Sequence, residues 1–114
     1  MRSDPLGAAF TALADRTRRS VVDLLRRGPR RAGELAADLD VSAPALSRHL
    51  RILRESRLVE ETGDEGDGRV SVYRLRRETF TALRGWVDEV EALWQDQLAS
   101  FAAHVGRTRG KRKT

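Results

Sequence analysis

The segment Ala32–Leu53 constrains the fold of this 114-residue chain more than any other part. It reads AGELAADLDVSAPALSRHLRIL and contains two short amphipathic runs, separated by a break at Asp40-Val41. Ser42 is a favoured N-cap residue, and Pro44 falls in the first turn of the second run, where its missing N–H costs little. The second run has an outer face of small and polar side chains and one apolar stripe, formed by Leu46, Leu50 and Leu53. This pattern predicts a helix-turn-helix at about residues 32–55.

Two strand-like segments follow this motif directly. Leu58-Val59-Glu60 is a short strand signal, and the residues from Arg69 to Leu75 alternate as in a half-buried strand. Between them, Thr62–Gly68 is a loop of turn-forming residues with three glycines (TGDEGDG). Helix, helix, strand, glycine loop and strand is the order of a winged helix-turn-helix. The wing is predicted at about residues 58–75.

Two helices are expected before the motif. Pro5–Ala14 has its apolar residues on one stripe, and Asp15 is placed to cap a second helix that stops at Gly28-Pro29. We interpret the arginines at the start of this second helix (Arg16, Arg18, Arg19) as a solvated face. The predicted fold is therefore mainly α with a small β-hairpin wing, in the order α-α-α-α-β-β-α.

The last helix, predicted at about residues 78–105, is the second informative feature. Apolar side chains recur along it at steps of three or four, from Phe80 and Leu83 to Val105. At 1.5 Å per residue this segment spans about 42 Å, whereas a compact domain of ~100 residues is only about 34 Å across. The outer part of the stripe therefore requires a partner, and a second copy of the chain is the simplest one. The predicted dimer contacts are Leu6, Phe10, Leu13, Val87, Val90, Trp94, Leu98 and Phe101.

The charge is distributed unevenly along the chain. Residues 1–57 carry a net charge of +5, residues 58–106 carry −5, and the last eight residues include five basic ones and no acidic one. A protein that docks on phosphates with one face and repels them with another would show this polarity. We expect one domain at residues 1–106, followed by a basic, disordered tail at 107–114.

The second helix of the motif would present the base-reading residues. An arginine can bond a guanine edge through two atoms, a serine can donate or accept, and a small apolar side chain can contact a thymine methyl group. Arg48 is the strongest candidate because it is the one long donor in the first turns. The complete set of predicted DNA contacts is Arg30, Arg31, Ser42, Ala43, Pro44, Ser47, Arg48, His49, Arg51 and Arg69.

Other classes of protein receive little support from the sequence. The chain has no cysteine, which excludes disulfides, thiolate catalysis and thiolate metal sites. No nucleophile–base pair has plausible spacing, and no glycine loop that could cradle a phosphate opens a helix, so we do not expect an enzyme. No apolar run reaches the length of a membrane span or resembles a signal peptide, so a soluble, cytoplasmic protein is expected.

Several segments together resemble the ArsR/SmtB family of small bacterial transcriptional repressors, over nearly the whole chain. They are Phe10–Arg19 (FTALADRTRR), Glu34-Leu35-Ala36, Val41–Leu50 (VSAPALSRHL), Gly68-Arg69 and Tyr73-Arg74-Leu75. The resemblance implies a dimeric winged-helix repressor that often controls its own operon. Arg16 departs from the pattern, because many relatives have proline there.

The resemblance also implies where a metal site would lie. One type of site in the family needs cysteines flanking Glu34-Leu35-Ala36, and this chain has none. A second type uses the last helix, where the matching positions are Glu91, Leu93, His104 and Arg107. Leucine and arginine cannot serve as ligands, so no standard metal site and no cofactor are expected. A novel site across the dimer, with Asp88, Glu91 and His104, stays open at this point.

The sequence thus predicts a homodimeric repressor that binds a two-fold symmetric site on double-stranded DNA, with an unknown inducer. A dimeric protein-interaction or anti-repressor module that has lost DNA binding is the main alternative. The outer face of the predicted recognition helix argues against it, because it carries Ser47, Arg48 and Arg51 rather than acidic or bulky apolar residues. RNA binding is a further alternative, but exposed aromatic pairs for stacking single-stranded bases are missing.

Overall fold

The computed structural model describes the backbone of residues 4–64 and 67–113, and the side chains of residues 4–63 and 71–106. The elements are, in chain order, α1 (Pro5–Leu13), α2 (Arg16–Leu25), β1 (Arg30–Arg31), α3 (Ala32–Leu39), α4 (Ala43–Glu55), β2 (Val59–Asp64), β3 (Asp67–Leu75) and α5 (Arg77–Lys113). The chain divides into two compact units, Met1–Thr81 and Ala82–Thr114.

Three helices of the first unit begin at side chains that cap them. The carboxylates of Asp4 and Asp15 accept from the backbone N–H groups of Gly7 and Arg18, each at 2.9 Å. Ser42 Oγ accepts from the N–H of Ala45 at 3.2 Å and so begins α4. These contacts satisfy N–H groups that have no partner within the helix, which explains why the helices start where the sequence predicts.

The break between α3 and α4 is a tight turn. Asp40 ends α3 in the left-handed conformation, with φ of 53°, and Val41 N donates to the carbonyl of Ala36 at 3.1 Å. Aspartate tolerates this conformation better than most residues because its short polar side chain can bond locally. The predicted helix-turn-helix is therefore present with the predicted break.

The core of the first unit is built from aliphatic side chains of α2, α3, α4 and the start of the wing. The largest fully buried residues are Val21, Leu35, Leu46, Leu53, Leu58 and Val59. Leu50 is also buried, so all three leucines of the stripe predicted on α4 face the core. Each such side chain contributes about 1.5–3 kcal/mol of burial, which holds α4 with its opposite face outward.

The sheet has three antiparallel strands in the order β1-β3-β2, and this corrects the predicted order, which lacked β1. Arg30 pairs with Tyr73 and Arg31 with Val72. A two-residue strand is too short to show alternation, so no sequence pattern could reveal it.

The two long strands of the wing extend further than predicted. β2 continues to Asp64 and β3 begins at Asp67, so most of the expected loop Thr62–Gly68 belongs to the strands. Their register runs from Val59 opposite Leu75 to Asp64 opposite Asp67, with an irregularity between Gly63 and Asp64.

The second unit contains most of α5, which continues to Lys113. Residues 107–113, expected as a disordered tail, are therefore helical. Arginine and lysine are good helix formers, which favours continuation despite the glycines at positions 106 and 110. In the part of the chain that the structure covers, no helix combines the length and apolar character needed to cross a membrane.

Candidate nucleic-acid interface

The outer face of α4 is the central feature of the candidate interface. With the leucine stripe turned to the core, the opposite face of the helix is open to solvent along its N-terminal half. The exposed residues on this face are Ala43, Pro44, Ser47, Arg48 and Arg51, preceded by the exposed cap Ser42. The side chains at the N-terminal end of this face are small, which allows the helix to enter the major groove of DNA.

Arg48 and Arg51 are the long side chains of this face that can donate hydrogen bonds. Neither guanidinium has a hydrogen bond or an ion pair with any residue whose side chain the structure describes. Their five N–H donors each are therefore available to an external acceptor such as a base edge or a phosphate.

Arg30 and Arg31 lie at the entrance to α3. Arg30 Nη1 is 3.3 Å from Asp38 Oδ2, and the Arg30 side chain is only 29% exposed. Arg31 is exposed, and its backbone N–H donates to Glu34 Oε1 at 3.1 Å. The side chain of Arg30, a predicted DNA contact, is thus engaged by the carboxylate of Asp38 on α3.

His49 differs from the other predicted contacts because it faces α2. Its side chain is 23% exposed and its Nδ1 lies 3.8 Å from Asp15 Oδ2. Arg18 Nη1 donates to the same Nδ1 at 3.4 Å. The sequence interpretation of Arg18 as part of a solvated face is therefore wrong, whereas Arg16 and Arg19 are exposed as expected.

Asp15 is affected by the same neighbours. The hydrogen bond from the Arg18 N–H is the largest effect and lowers the pKa of Asp15, and burial, the next largest, opposes it. The charge of Arg18, and that of His49 when it is protonated, lower the pKa further. The capping role of Asp15 was readable from the sequence. Its proximity to α4 was not, because 34 residues separate it from His49.

The wing is joined to α4 through Glu61. This carboxylate on β2 accepts from Arg54 of α4 and from Ser71 Oγ of β3. Arg69, the predicted wing contact, has a side chain outside the described part of the structure. The acidic side chains Asp64, Glu65 and Asp67 beside it are likewise outside it.

The predicted dimer residues of α5 are exposed in the single chain. Their exposed fractions range from 46% for Val87 to 66% for Phe101, and Trp94 is 62% exposed. Among the predicted dimer residues of α1, Phe10 is 40% exposed, whereas Leu6 and Leu13 are half-buried. The described residues contain no group of three or more His, Cys, Asp or Glu side chains that could hold a metal ion.

The matching segment of a family model coincides with this interface. The model for bacterial regulatory proteins of the arsR family matches residues 15–61, from the cap of α2 to the first residues of β2. It therefore covers the complete helix-turn-helix and the helix packed behind it.

Individual relatives extend the similarity over most of the chain. The HTH-type transcriptional regulator Rv2034 of Mycobacterium tuberculosis is 43% identical over 94 residues, which is 82% of each chain. The transcriptional repressor SdpR of Bacillus subtilis is 32% identical over 68% of this chain and 83% of its own length. These relatives are named as regulators of transcription, not as enzymes.

Solved structures agree with the sequence matches. An ArsR-like transcriptional regulator from Rhodococcus sp. RHA1 superposes with a TM-score of 0.73 and 31% identity, over 85% of this chain and 89% of its own. Fold, family model and close relatives lead to one assignment: the chain belongs to the arsR family of bacterial regulatory proteins and is a DNA-binding transcriptional regulator.

Proposed function

We propose that the protein is a homodimeric repressor that binds a two-fold symmetric operator, with α4 of each copy in the major groove. The observation that carries this proposal is the outer face of α4. It combines small residues at its N-terminal end with two arginines that no described side chain engages, on a helix fixed by three buried leucines.

Each residue on this face has a role that its chemistry supports. Arg48 would bond a guanine edge through two atoms, and Ser47 would donate to or accept from a base edge. Ala43 and Pro44 would lie against thymine methyl groups. Ser42 is occupied with capping α4, so we propose that its contribution is to hold the first turn in place, close to the bases.

Phosphate contacts would surround these base contacts. Arg51 lies one turn beyond Ser47 and Arg48 on α4, and Arg31 is exposed at the start of α3. Arg30 would have to exchange its ion pair with Asp38 for a phosphate, so we expect a smaller contribution from it. Arg69 remains the proposed contact from the wing.

The proposed dimer rests on the exposed apolar stripe of α5. Val87, Val90, Trp94, Leu98 and Phe101 recur at steps of three or four, and each is 46–66% exposed. A stripe of this kind is stabilised when a second helix covers it. Phe10 on α1, which is 40% exposed, is a further predicted apolar contact of the dimer.

A two-fold dimer determines the form of its operator. Two copies of α4 would read half-sites about one helical turn apart, or a multiple of it, ~34–36 Å from centre to centre. We propose that it acts in the cytoplasm. The family resemblance implies control of its own operon, which makes the DNA upstream of its gene the first operator to test.

Fluorescence anisotropy can test the proposal directly. The protein is titrated onto DNA from upstream of its own gene and onto a shuffled duplex, across a series of salt concentrations. We expect a preference of ~10³-fold or more for the upstream DNA. Equal binding to both duplexes that disappears with salt would contradict a specific operator there, and no binding at low salt would favour a protein-interaction module.

The Arg48→Ala variant tests the role of the outer face of α4, which we call the base-reading face. It should lose ~1–3 kcal/mol of specific binding free energy while non-specific binding changes little. Arg27→Ala is a matched control, because Arg27 is an exposed arginine beyond the end of α2 and outside the helix-turn-helix. An equal loss on both duplexes would show that Arg48 contacts phosphate rather than bases.

A further inference from the structure

We infer that Arg18 is a positioning residue for DNA binding, which orients the recognition helix α4 by donating to Nδ1 of His49. The inference rests on the proposed function, since it concerns how the base-reading face is held. It assigns His49 a role inside the protein, whereas the sequence predicted a direct contact with DNA.

Arg18 connects three helices. Its backbone N–H donates to the cap carboxylate of Asp15 at 2.9 Å, and its Nε donates to the carbonyl of Ala12, in the last turn of α1, at 2.7 Å. Its Nη1 donates to His49 Nδ1 of α4 at 3.4 Å. Since the guanidinium is planar and rigid, the bond to Ala12 fixes the direction in which Nη1 points.

Because of the position of His49 on α4, its contact with Arg18 can influence the orientation of the base-reading face. His49 follows Arg48 directly, at the edge between the buried leucine stripe and the exposed face. The stripe presses α4 against the core, but apolar packing is not directional and tolerates small rotations of the helix. A hydrogen bond at the edge of the stripe opposes such a rotation, which would move Arg48 relative to the bases.

The chemistry of the contact also fixes the use of the two ring nitrogens. A guanidinium can only donate, so Nδ1 must accept, and a neutral His49 then carries its proton on Nε2. Asp15, 3.8 Å from the same Nδ1, is the other charged group that faces this side of the ring. The contact that matters for α4 is thus made at the δ position of the side chain.

Two conservative substitutions of His49 distinguish a contact of Nδ1 with Arg18 from a direct contact of Nε2 with DNA. In His49→Asn the amide oxygen lies at the δ position and can replace Nδ1 as the acceptor, but nothing replaces Nε2. In His49→Gln the amide group lies at the ε position, where it can replace a contact from Nε2 to DNA. His49→Leu removes both.

Specific DNA affinity is then measured by anisotropy for these variants and for Arg18→Met. We expect His49→Leu, His49→Gln and Arg18→Met to bind the specific duplex about 3- to 30-fold more weakly than the unmodified protein. The His49→Asn variant should bind like the unmodified protein. Arg19→Met is the matched control. Arg19 is the next residue and also donates to a carbonyl of α1, Leu13 O at 2.8 Å, but it makes no hydrogen bond to α4. It should leave affinity unchanged.

A double-variant cycle tests whether the two residues act through each other. Arg18→Met combined with His49→Leu should bind no more weakly than the weaker single variant, because either change already breaks the contact. Urea unfolding of every variant shows whether it is folded under the conditions of the binding experiment. Affinities are compared only between variants that are folded there. If Arg18→Met does not fold, the three His49 variants still decide the question.

The outcomes are distinct. Affinity retained by His49→Gln and lost by His49→Asn would overturn the inference in favour of a direct DNA contact through Nε2. If the unmodified protein binds specifically and both Arg18→Met and His49→Leu keep the same affinity, the inference is overturned as well. An unmodified protein that shows no preference for its upstream DNA would instead contradict the proposed operator, and one that binds neither duplex at low salt would refute the proposed function itself.

Discussion

Arg54, in the last turn of α4, donates to Glu61 on β2 and so ties the recognition helix to the wing. Ser71 Oγ on β3 donates to the same carboxylate, which therefore joins three elements. Tyr73 is buried beside this group. Burial is the main cause that raises the pKa of Tyr73, the charge of Glu61 raises it further, and Arg54 lowers it.

This arrangement predicts opposite shifts for two variants. Glu61→Gln removes a negative charge and should lower the pKa of Tyr73 from its raised value, whereas Arg54→Met should raise it further. Tyr73 is the single tyrosine of the chain, so the absorbance of tyrosinate during an alkaline titration reports it alone. Shifts of the same sign in both variants would contradict the electrostatic link between helix and wing.

The raised pKa also predicts a direction for alkaline stability. The folded state favours the protonated phenol, so its contribution to stability is complete below the ordinary pKa of 10.0 and is lost as the pH rises through the folded value. Tyr73→Phe should therefore reduce the decline of the free energy of unfolding in this range. Denaturant unfolding at a series of alkaline pH values provides the measurement.

The cap of α4 can be separated from its contact with DNA. Ser42→Ala removes the acceptor for the Ala45 N–H and should cost about 1 kcal/mol of stability. Ser42→Asp keeps a good cap but places a carboxylate at the start of the base-reading face, so it should retain stability and lose DNA affinity. Urea unfolding and anisotropy on the same samples check both. Undiminished affinity in Ser42→Asp would mean that the N-terminal turn of α4 does not approach DNA.

Asp15 should make the protein sensitive to acid. Because the Arg18 N–H and the nearby positive charges lower its pKa, its ionised form contributes stability above its ordinary value of 3.8, and this contribution is lost as the pH falls through the lower folded value. Asp15→Asn keeps a capping side chain without the charge. The unmodified protein should be the more stable of the two at neutral pH, and the difference should shrink in acid. A difference that stays constant down to full protonation would contradict this origin.

Much of the first unit could be predicted because its signals are local. Ser42 and Asp15 cap helices through residues three positions away, and the leucines of α4 recur with the helical period. β1 could not be predicted, since two residues carry no period and their pairing depends on Tyr73, far along the chain. The extent of α5 was underestimated because a basic composition indicates disorder, although arginine and lysine also favour helices.

In the candidate site, too, features that depend on a local pattern could be predicted, whereas contacts between distant segments could not. That Arg48 and Arg51 lie on the exposed face follows from the period of α4 alone. That His49 turns to Arg18 depends on how α2 packs against α4, and no local pattern encodes a contact between residues 31 positions apart. Arg30 is a similar case, because its ion pair with Asp38 requires the turn into α3.

The proposed dimer gives the last prediction, for which α5 offers a matched pair. Leu93 and Trp94 are neighbours, and each is 62% exposed. Only Trp94 continues the stripe of Val87, Val90, Leu98 and Phe101, because adjacent residues on a helix point about 100° apart. If the stripe is the seam between two copies, Trp94→Gln should raise the dimer dissociation constant at least about tenfold, as truncation of a buried aromatic anchor does. Leu93→Gln should have a much smaller effect. Analytical ultracentrifugation over a range of protein concentrations gives both constants, and equal values for the two variants would place the seam elsewhere on the molecule.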